Sequence, residues 1–97
     1  MDIYYALAEP KRRSILEMLA NSGELSATAI AKRFRITTAA VSQHLKVLRE
    51  AKLVIVEKRA QQRIYSIDVD GLKELEKWAQ RMSDSYDALD VLLKNKA

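Results

Sequence analysis

The sequence contains no cysteine, one proline and two glycines. Without cysteine there can be no disulfide framework and no thiolate metal site. The scarcity of glycine and proline leaves little room for loops, which favours a mostly helical fold. No apolar run reaches membrane-spanning length, and the first residues lack the basic start and apolar core of a signal peptide. These absences predict a cytoplasmic protein that makes no membrane contact.

The length and composition predict one small globular domain over residues 1–97. The chain is 48% hydrophobic and 31% charged, which is typical of a folded protein rather than a disordered one. A domain of this size buries only about 60–65% of its unfolded surface. A partner subunit would therefore add useful stability.

Positive charge is concentrated in the middle of the chain. Residues 26–67 hold nine Lys or Arg against Glu50 and Glu57, a net of seven positive charges. The flanking segments 1–25 and 68–97 sum to −1 and −2. A solvated basic face would explain the charge if it stood alone, but a concentrated positive field is also what phosphate binding requires.

The first half of the chain predicts four helices. Pro10 suits the first turn of the second helix, and Ser26 and Thr37 can cap the third and fourth. The predicted helices cover residues 2–8, Pro10 to about Gly23, Ser26 to the turn at 35–37, and 38–51. The last two are separated by about three residues, as in a helix-turn-helix pair.

The second half predicts a hairpin and a long helix. Residues 54–59 and 63–67 are β-branched, alternating runs, joined by Ala60-Gln61-Gln62 without the glycine that hairpin loops favour. Asp68 can cap a last helix that runs to about residue 94. The predicted fold is mainly α with a small β-hairpin, a winged helix-turn-helix in the order α-α-α-α-β-β-α.

The fourth predicted helix has a face that suits DNA. A helical wheel places Val41, Leu45 and Leu48 on the buried side. The opposite face, called the outward stripe below, carries Thr38, Ala39, Ser42, Gln43, Lys46 and Arg49. The first four can contact base edges in the major groove, and the two cations suit phosphates. An ordinary solvated face is the alternative, but such a face usually carries more glutamate.

The hairpin tip and the only histidine are weaker candidates. Arg59 and Arg63 flank Gln61-Gln62, so the tip could contact phosphates or a minor groove. The alternative is a merely solvated tip, since arginine is common on surfaces. His44 falls at the edge of the core, where packing or capping is its favoured role. A phosphate contact is the second interpretation, and catalysis is the least favoured of the three.

The last predicted helix carries an apolar seam in steps of three and four residues. The spacing is typical of a coiled coil rather than of a helix packed on one core. The seam consists of Leu72, Leu75, Ala79, Met82, Tyr86, Leu89 and Leu93.

Three motifs resemble the ArsR family of bacterial winged-helix repressors: ALAEPKRRSILEMLA, ITTAAVSQHLKVLREAKLV and RIYSIDVDGL. The resemblance extends from Ala6 to about Trp78. It implies a homodimer that represses transcription from a pseudo-palindromic operator in double-stranded DNA. The family's base-contacting positions fall on the same four residues that the wheel selects. The implied dimer pairs the first and last helices, through Ile3, Tyr4, Leu7, Met82, Tyr86, Leu89 and Leu93.

The chain departs from the metal-sensing members of that family. Their Cys-x-Cys pair falls on Ser26 and Thr28 here, and residues 72–97 contain no histidine. Zinc and softer metals need Cys or His ligands. Asp84, Asp87 and Asp90 could hold a hard cation, but a solvated helix face is the favoured interpretation. We therefore expect no cofactor and no metal response.

Two other functions compete with sequence-specific repression. A winged-helix module that binds protein would usually lose the positive field, and a nonspecific DNA-binding protein would keep it without base preference. An enzyme is disfavoured because no acid–base pair, phosphate-binding glycine loop or metal cluster is evident. The releasing signal, an unidentified inducer or protein partner, cannot be derived from the sequence.

Overall fold

A computed structural model describes residues 2–94, which form five helices and three strands. The helices are α1 (Ile3–Ala8), α2 (Pro10–Ser22), α3 (Ala27–Phe34), α4 (Thr38–Glu50) and α5 (Val69–Lys94). The strands are β1 (Glu24–Ser26), β2 (Val54–Arg59) and β3 (Gln62–Ile67). Within this part of the chain no helix combines the length and apolar character needed to cross a membrane. The predicted fold class is confirmed.

Polar side chains begin the helices where the sequence predicts. Ser26 Oγ accepts a hydrogen bond from the backbone N–H of Ala29, and Thr37 Oγ1 accepts one from Ala40, each at 3.1 Å. Asp68 Oδ1 accepts from the N–H of Asp70 at 3.1 Å. These bonds satisfy N–H groups that have no partner within the helix. The starts of both helices of the helix-turn-helix pair are therefore fixed locally by their caps.

The core lies between α2, α3 and α4 and one face of the sheet. Its fully buried members include Ile15, Leu19, Ile30, Leu45 and Leu53. Met18 and Phe34 are only half-buried at its margin. The apolar residues that recur along α2 and α4 thus pack together and hold α4 in place. One face of α4 is buried by this packing, and its opposite face stays in water.

Two arginines of α2 hold α1 in place, a feature that the sequence analysis missed. Arg12 is buried; its Nε donates to the carbonyl of Ala6 at 2.7 Å and its Nη2 to that of Tyr5 at 3.1 Å. Arg13 donates to the carbonyl of Leu7 at 2.6 Å. These carbonyls belong to the last turn of α1, where they have no N–H partner within the helix. The guanidinium groups supply hydrogen-bond donors there, and their positive charge complements the negative end of the helix dipole.

The sheet has three strands where the sequence predicts two. β1 pairs antiparallel with β3, which gives the strand order β1-β3-β2 and corrects the predicted α-α-α-α-β-β-α order. Three residues are too few to show a period-2 pattern, so β1 is invisible in the sequence. The loop between β2 and β3 is also shorter than predicted, because Gln62 belongs to β3 and pairs with Arg59. Ala60, in this loop, has a φ of 55°.

The start of α5 docks on the turn between α4 and β2. Gly71 is buried there, and a Cβ at this position would lie 2.0 Å from the backbone oxygen of Lys52. The N–H of Asp68 donates to the carbonyl of Leu53 at 2.9 Å. Beyond this contact α5 extends away from the core, and the molecule measures 65 × 24 × 23 Å.

Candidate nucleic-acid interface

Helix α4 is divided into a buried face and a polar exposed face. Val41, Leu45 and Leu48 are fully buried. All six residues of the outward stripe are exposed. His44 is half-buried at the edge between the two faces. The division predicted by the helical wheel is confirmed.

Part of the outward stripe faces the β2–β3 hairpin, called the wing below, across a groove of about 500 Å³. Ser42, Gln43, Lys46 and Arg49 contribute from α4. The wing contributes three of its four predicted residues, Gln61, Gln62 and Arg63. The structure therefore brings together seven of the predicted DNA-contacting residues, from segments about fifteen positions apart.

The charge of this groove is of one sign. Among the residues that line it in the described chain are three cations, Lys46, Arg49 and Arg63, and no carboxylate. The side-chain ion pairs within residues 2–94 involve none of these three cations. Three unpaired cations around one groove make a positive field that attracts phosphate.

Thr38 and Ala39 lie outside the groove lining. They occupy the first turn of α4, where both are exposed. The first turn of a recognition helix is the part that most often reaches base edges. Their place at the end of the stripe suits a helix that enters the major groove by its N-terminus.

The two wing arginines lie on opposite faces of the hairpin. In an antiparallel pair, residues directly opposite each other share a face, and neighbours along a strand alternate. Arg59 pairs with Gln62, and Lys58 pairs with Arg63. Arg63 therefore shares one face of the hairpin with Lys58, a residue that the sequence analysis counted as charge but did not select. Lys58 is not among the residues that line the groove, whereas Gln62, on the face of Arg59, reaches the groove from the tip. The pairing register identifies Lys58, which the sequence alone could not supply.

Arg59 is engaged by carboxylates on the outer face of the sheet. Its Nη1 and Nη2 donate to the two carboxylate oxygens of Glu24, at 2.5 and 3.0 Å, and Nη2 also donates to Glu57 at 2.9 Å. The hydrogen bond from Arg59 holds the pKa of Glu24 below its ordinary value, so this carboxylate is ionised at neutral pH. The expectation that Arg59 points from the tip toward DNA thus needs revision, because its guanidinium is directed at β1.

The positions that correspond to a metal-binding pair carry hydroxyl groups. Ser26 and Thr28 lie at the start of α3 and line the same groove. In residues 2–94 no group of three or more His, Asp or Glu side chains is close enough to hold a metal ion. Asp84 accepts a hydrogen bond from Gln80 at 2.9 Å, and Asp90 pairs with Lys94 at 3.0 Å. Two of the three aspartates at positions 84, 87 and 90 are thus engaged by neighbouring side chains of the same helix.

The apolar seam of α5 is exposed over most of its length. Leu72 is half-buried against the core and Leu75 is half-buried one turn later, whereas Met82, Tyr86 and Leu89 are 47%, 70% and 54% exposed. Tyr4 of α1 packs on Trp78 of α5 with ring centroids 5.4 Å apart. Helix α1 therefore contacts α5 within one subunit.

Residues 7–57 match the family model described as a helix-turn-helix domain. The HTH-type transcriptional regulator Rv2034 of Mycobacterium tuberculosis is 42% identical over 72 residues, which cover 74% of this chain and 66% of that protein. The transcriptional repressor SdpR of Bacillus subtilis is 30% identical over 77 residues, 79% of this chain and 84% of that protein. Both relatives are transcriptional regulators.

Solved structures agree with these relatives. One described as "Possible transcriptional regulator for arsenical resistance" is 37% identical with a TM-score of 0.75, and the match covers 98% of this chain and 96% of that one. A homodimeric winged helix-turn-helix DNA-binding domain of Mycobacterium bovis, "a possible ArsR-family transcriptional regulator", is 29% identical with a TM-score of 0.67, covering 82% and 73%. The chain belongs to the ArsR family of winged helix-turn-helix transcriptional regulators.

Proposed function

We propose that the protein is a homodimeric, cytoplasmic repressor that binds a pseudo-palindromic operator in double-stranded DNA. The observation that carries this proposal is the outward stripe of α4, which faces the wing across a groove with three unpaired cations. Thr38, Ala39, Ser42 and Gln43 would contact base edges in the major groove. Lys46, Arg49, Gln61, Gln62 and Arg63 would contact the adjacent phosphates.

The exposed seam supports the homodimer. A continuous row of apolar side chains that stay about half exposed to water is unfavourable for a small monomer. A second copy of the same helix would bury this row. Ile3 and Leu7 of α1 are half-buried against the core, so part of each apolar side chain stays accessible to a partner. The Mycobacterium bovis neighbour is itself a homodimer. Two subunits would place two α4 helices in half-sites about 10–10.5 base pairs apart.

The side chains at the metal-sensing positions support a repressor that does not respond to metal. Serine and threonine hydroxyls bind zinc and softer metals poorly compared with thiolate or imidazole. The chain has one histidine and no cysteine. An unidentified inducer or protein partner would then release the DNA. Transcriptional repression is the activity named for SdpR.

The selection of bound DNA from a random pool tests the proposal. The selected sequence is titrated at about 50 and 200 mM salt, beside random DNA of equal length. We expect an inverted repeat, a preference over random DNA of about a thousandfold or more, and a steep loss of affinity with salt. A pool without an enriched motif would indicate nonspecific binding. Binding that is insensitive to salt would indicate a protein-interaction module instead.

A further inference from the structure

The outer face of the sheet carries a charge cluster that DNA binding does not use. Arg59, at the end of β2, reaches over β3 to Glu24 on β1. Glu24 pairs with Ser66 of β3, and Ser66 pairs with Ile55 of β2. Ile55 lies four residues before Arg59 along β2. The ion pair therefore runs diagonally across all three strands and joins the far end of the wing to the body of the domain.

The Arg59–Glu24 pair has a more restrictive geometry than an ordinary surface ion pair. Two parallel N–H···O bonds join the guanidinium and the carboxylate, and such two-pronged pairs fix orientation as well as distance. Glu57 adds a single contact to the same guanidinium from within the wing. Of the two carboxylates that Arg59 contacts, Glu24 is the one that lies outside the wing. Its side-chain contact adds to the backbone pairing of β1 with Ile64–Ser66 of β3, and it reaches the part of the wing that extends beyond this pairing.

The residue after Arg59 shows why the wing needs support. Ala60 has a φ of 55°, in the left-handed region that favours glycine. A non-glycine residue is strained in this region because its Cβ crowds the backbone. Such strain persists only where the surrounding structure holds the backbone, and the bidentate pair at Arg59 is the adjacent restraint.

We propose that Glu24 is a positioning residue for the wing: through Arg59 it fixes the orientation of the hairpin, and so the reach of Lys58 and Arg63 toward DNA. This proposal rests on the proposed function. Arg63 and Lys58 lie on the face opposite to Arg59, so holding one face of the hairpin sets the position of the other. Glu24 itself would not touch DNA.

Simple electrostatics and the positioning role predict opposite results for Glu24→Gln. Removal of a negative charge near DNA, with release of Arg59 for phosphate contact, would raise affinity. Loss of a fixed wing would lower it, because the released hairpin must be ordered when it binds. We expect the affinity of Glu24→Gln for the selected DNA to fall about threefold, the size of effect that such an exposed pair can have.

Glu57→Gln is the matched control. It removes the same charge from a carboxylate that contacts the same guanidinium, but leaves the wing joined to β1. We expect its affinity to stay unchanged or to rise slightly. Arg59→Lys keeps the charge and loses the two-pronged geometry, so we expect it to reproduce the threefold loss. The double variant Glu24→Gln/Arg59→Lys should lose no more than either single variant.

Hydrogen exchange of the free protein gives a readout that does not require DNA. Amides of residues 59–63 should exchange faster in Glu24→Gln than in the wild type or in Glu57→Gln, while the core amides stay unchanged. Unchanged exchange at the wing, or a rise in affinity in Glu24→Gln, would overturn the proposal. If the wild type selects no DNA motif, the proposed function fails, and the exchange experiment still decides whether Glu24 positions the wing.

Discussion

The outward stripe of α4 combines small residues, one amide and two cations, and under the proposed function each type would have a different task. Small side chains such as Ala39 and Ser42 would let the helix approach the bases closely. Gln43 can form two hydrogen bonds with adenine, whereas a lysine contacts phosphate as a point charge. The exposure of all three types on one face separates the roles of single residues, so substitutions can distinguish them.

Gln43→Ala should lower affinity for the selected operator by about 1–3 kcal/mol and leave affinity for random DNA nearly unchanged. The reason is that a base contact is lost only where the matching base is present. Parallel titrations of the two DNAs measure the difference. Equal losses on both would assign Gln43 to the phosphate backbone instead.

Lys46→Ala should weaken binding to both DNAs alike. Each phosphate contact releases counterions, so its loss should reduce the slope of log K against log salt by about 0.9. Because Lys46 and Gln43 lie on the same exposed face, neither change should alter the unfolding temperature. An unchanged salt slope would show that Lys46 does not touch phosphate.

At the scale of the elements, the docking of α5 depends on one glycine. Gly71→Ala would improve helix propensity by about 1 kcal/mol. The new Cβ would nevertheless lie 2.0 Å from a backbone oxygen of Lys52, which cannot rotate away as a side chain would. We expect the clash to prevail and the free energy of unfolding to fall by about 1–3 kcal/mol. Thermal unfolding followed by circular dichroism measures it.

Ser83→Ala provides the control for Gly71→Ala, because it lies on the same helix at an exposed position. It changes propensity without any packing conflict and should shift stability by less than about 0.5 kcal/mol. A Gly71→Ala protein as stable as this control would mean that α5 can move away from the α4–β2 turn without cost.

The elements differ in how well the sequence predicts them. Ser26 and Thr37 act through bonds to residues three positions later, so the starts of α3 and α4 could be predicted locally. Helix α4 and the seam of α5 follow from a single periodic pattern. β1 could not be predicted, because three residues have no pattern and its stability comes from β3, about forty positions away.

The same distinction applies to the candidate site. The side chains on α4 were identifiable because they share one helix, and their exposure follows from the periodicity of Val41, Leu45 and Leu48. The side of the wing on which Arg59 and Arg63 lie depends on hairpin register, which changes with one residue of loop length. Taking Gln62 as loop rather than strand concealed both the pairing of Lys58 with Arg63 and the partner of Arg59.

At the scale of the whole molecule, the shape points to a second subunit. The radius of gyration is 17.5 Å, whereas a compact domain of this length would have about 12–13 Å. The excess comes from α5, whose 26 residues form a rod about 39 Å long. Its far half exposes apolar side chains that no part of residues 2–94 covers.

Leu89→Glu should therefore split the dimer and abolish tight operator binding. A charge in the exposed half of the seam would have to be desolvated against the partner's apolar face, which costs several kcal/mol. Val91→Glu is the matched control: Val91 is 56% exposed beside 54% for Leu89, but on a helical wheel it lies on nearly the opposite side of α5.

Light scattering should give a monomer for Leu89→Glu and a dimer for Val91→Glu. Binding to a single half-site, which needs one α4 only, should survive in both. A Leu89→Glu protein that remains dimeric would place the interface elsewhere, and loss of the dimer in both variants would show that the interface extends around α5 beyond the seam.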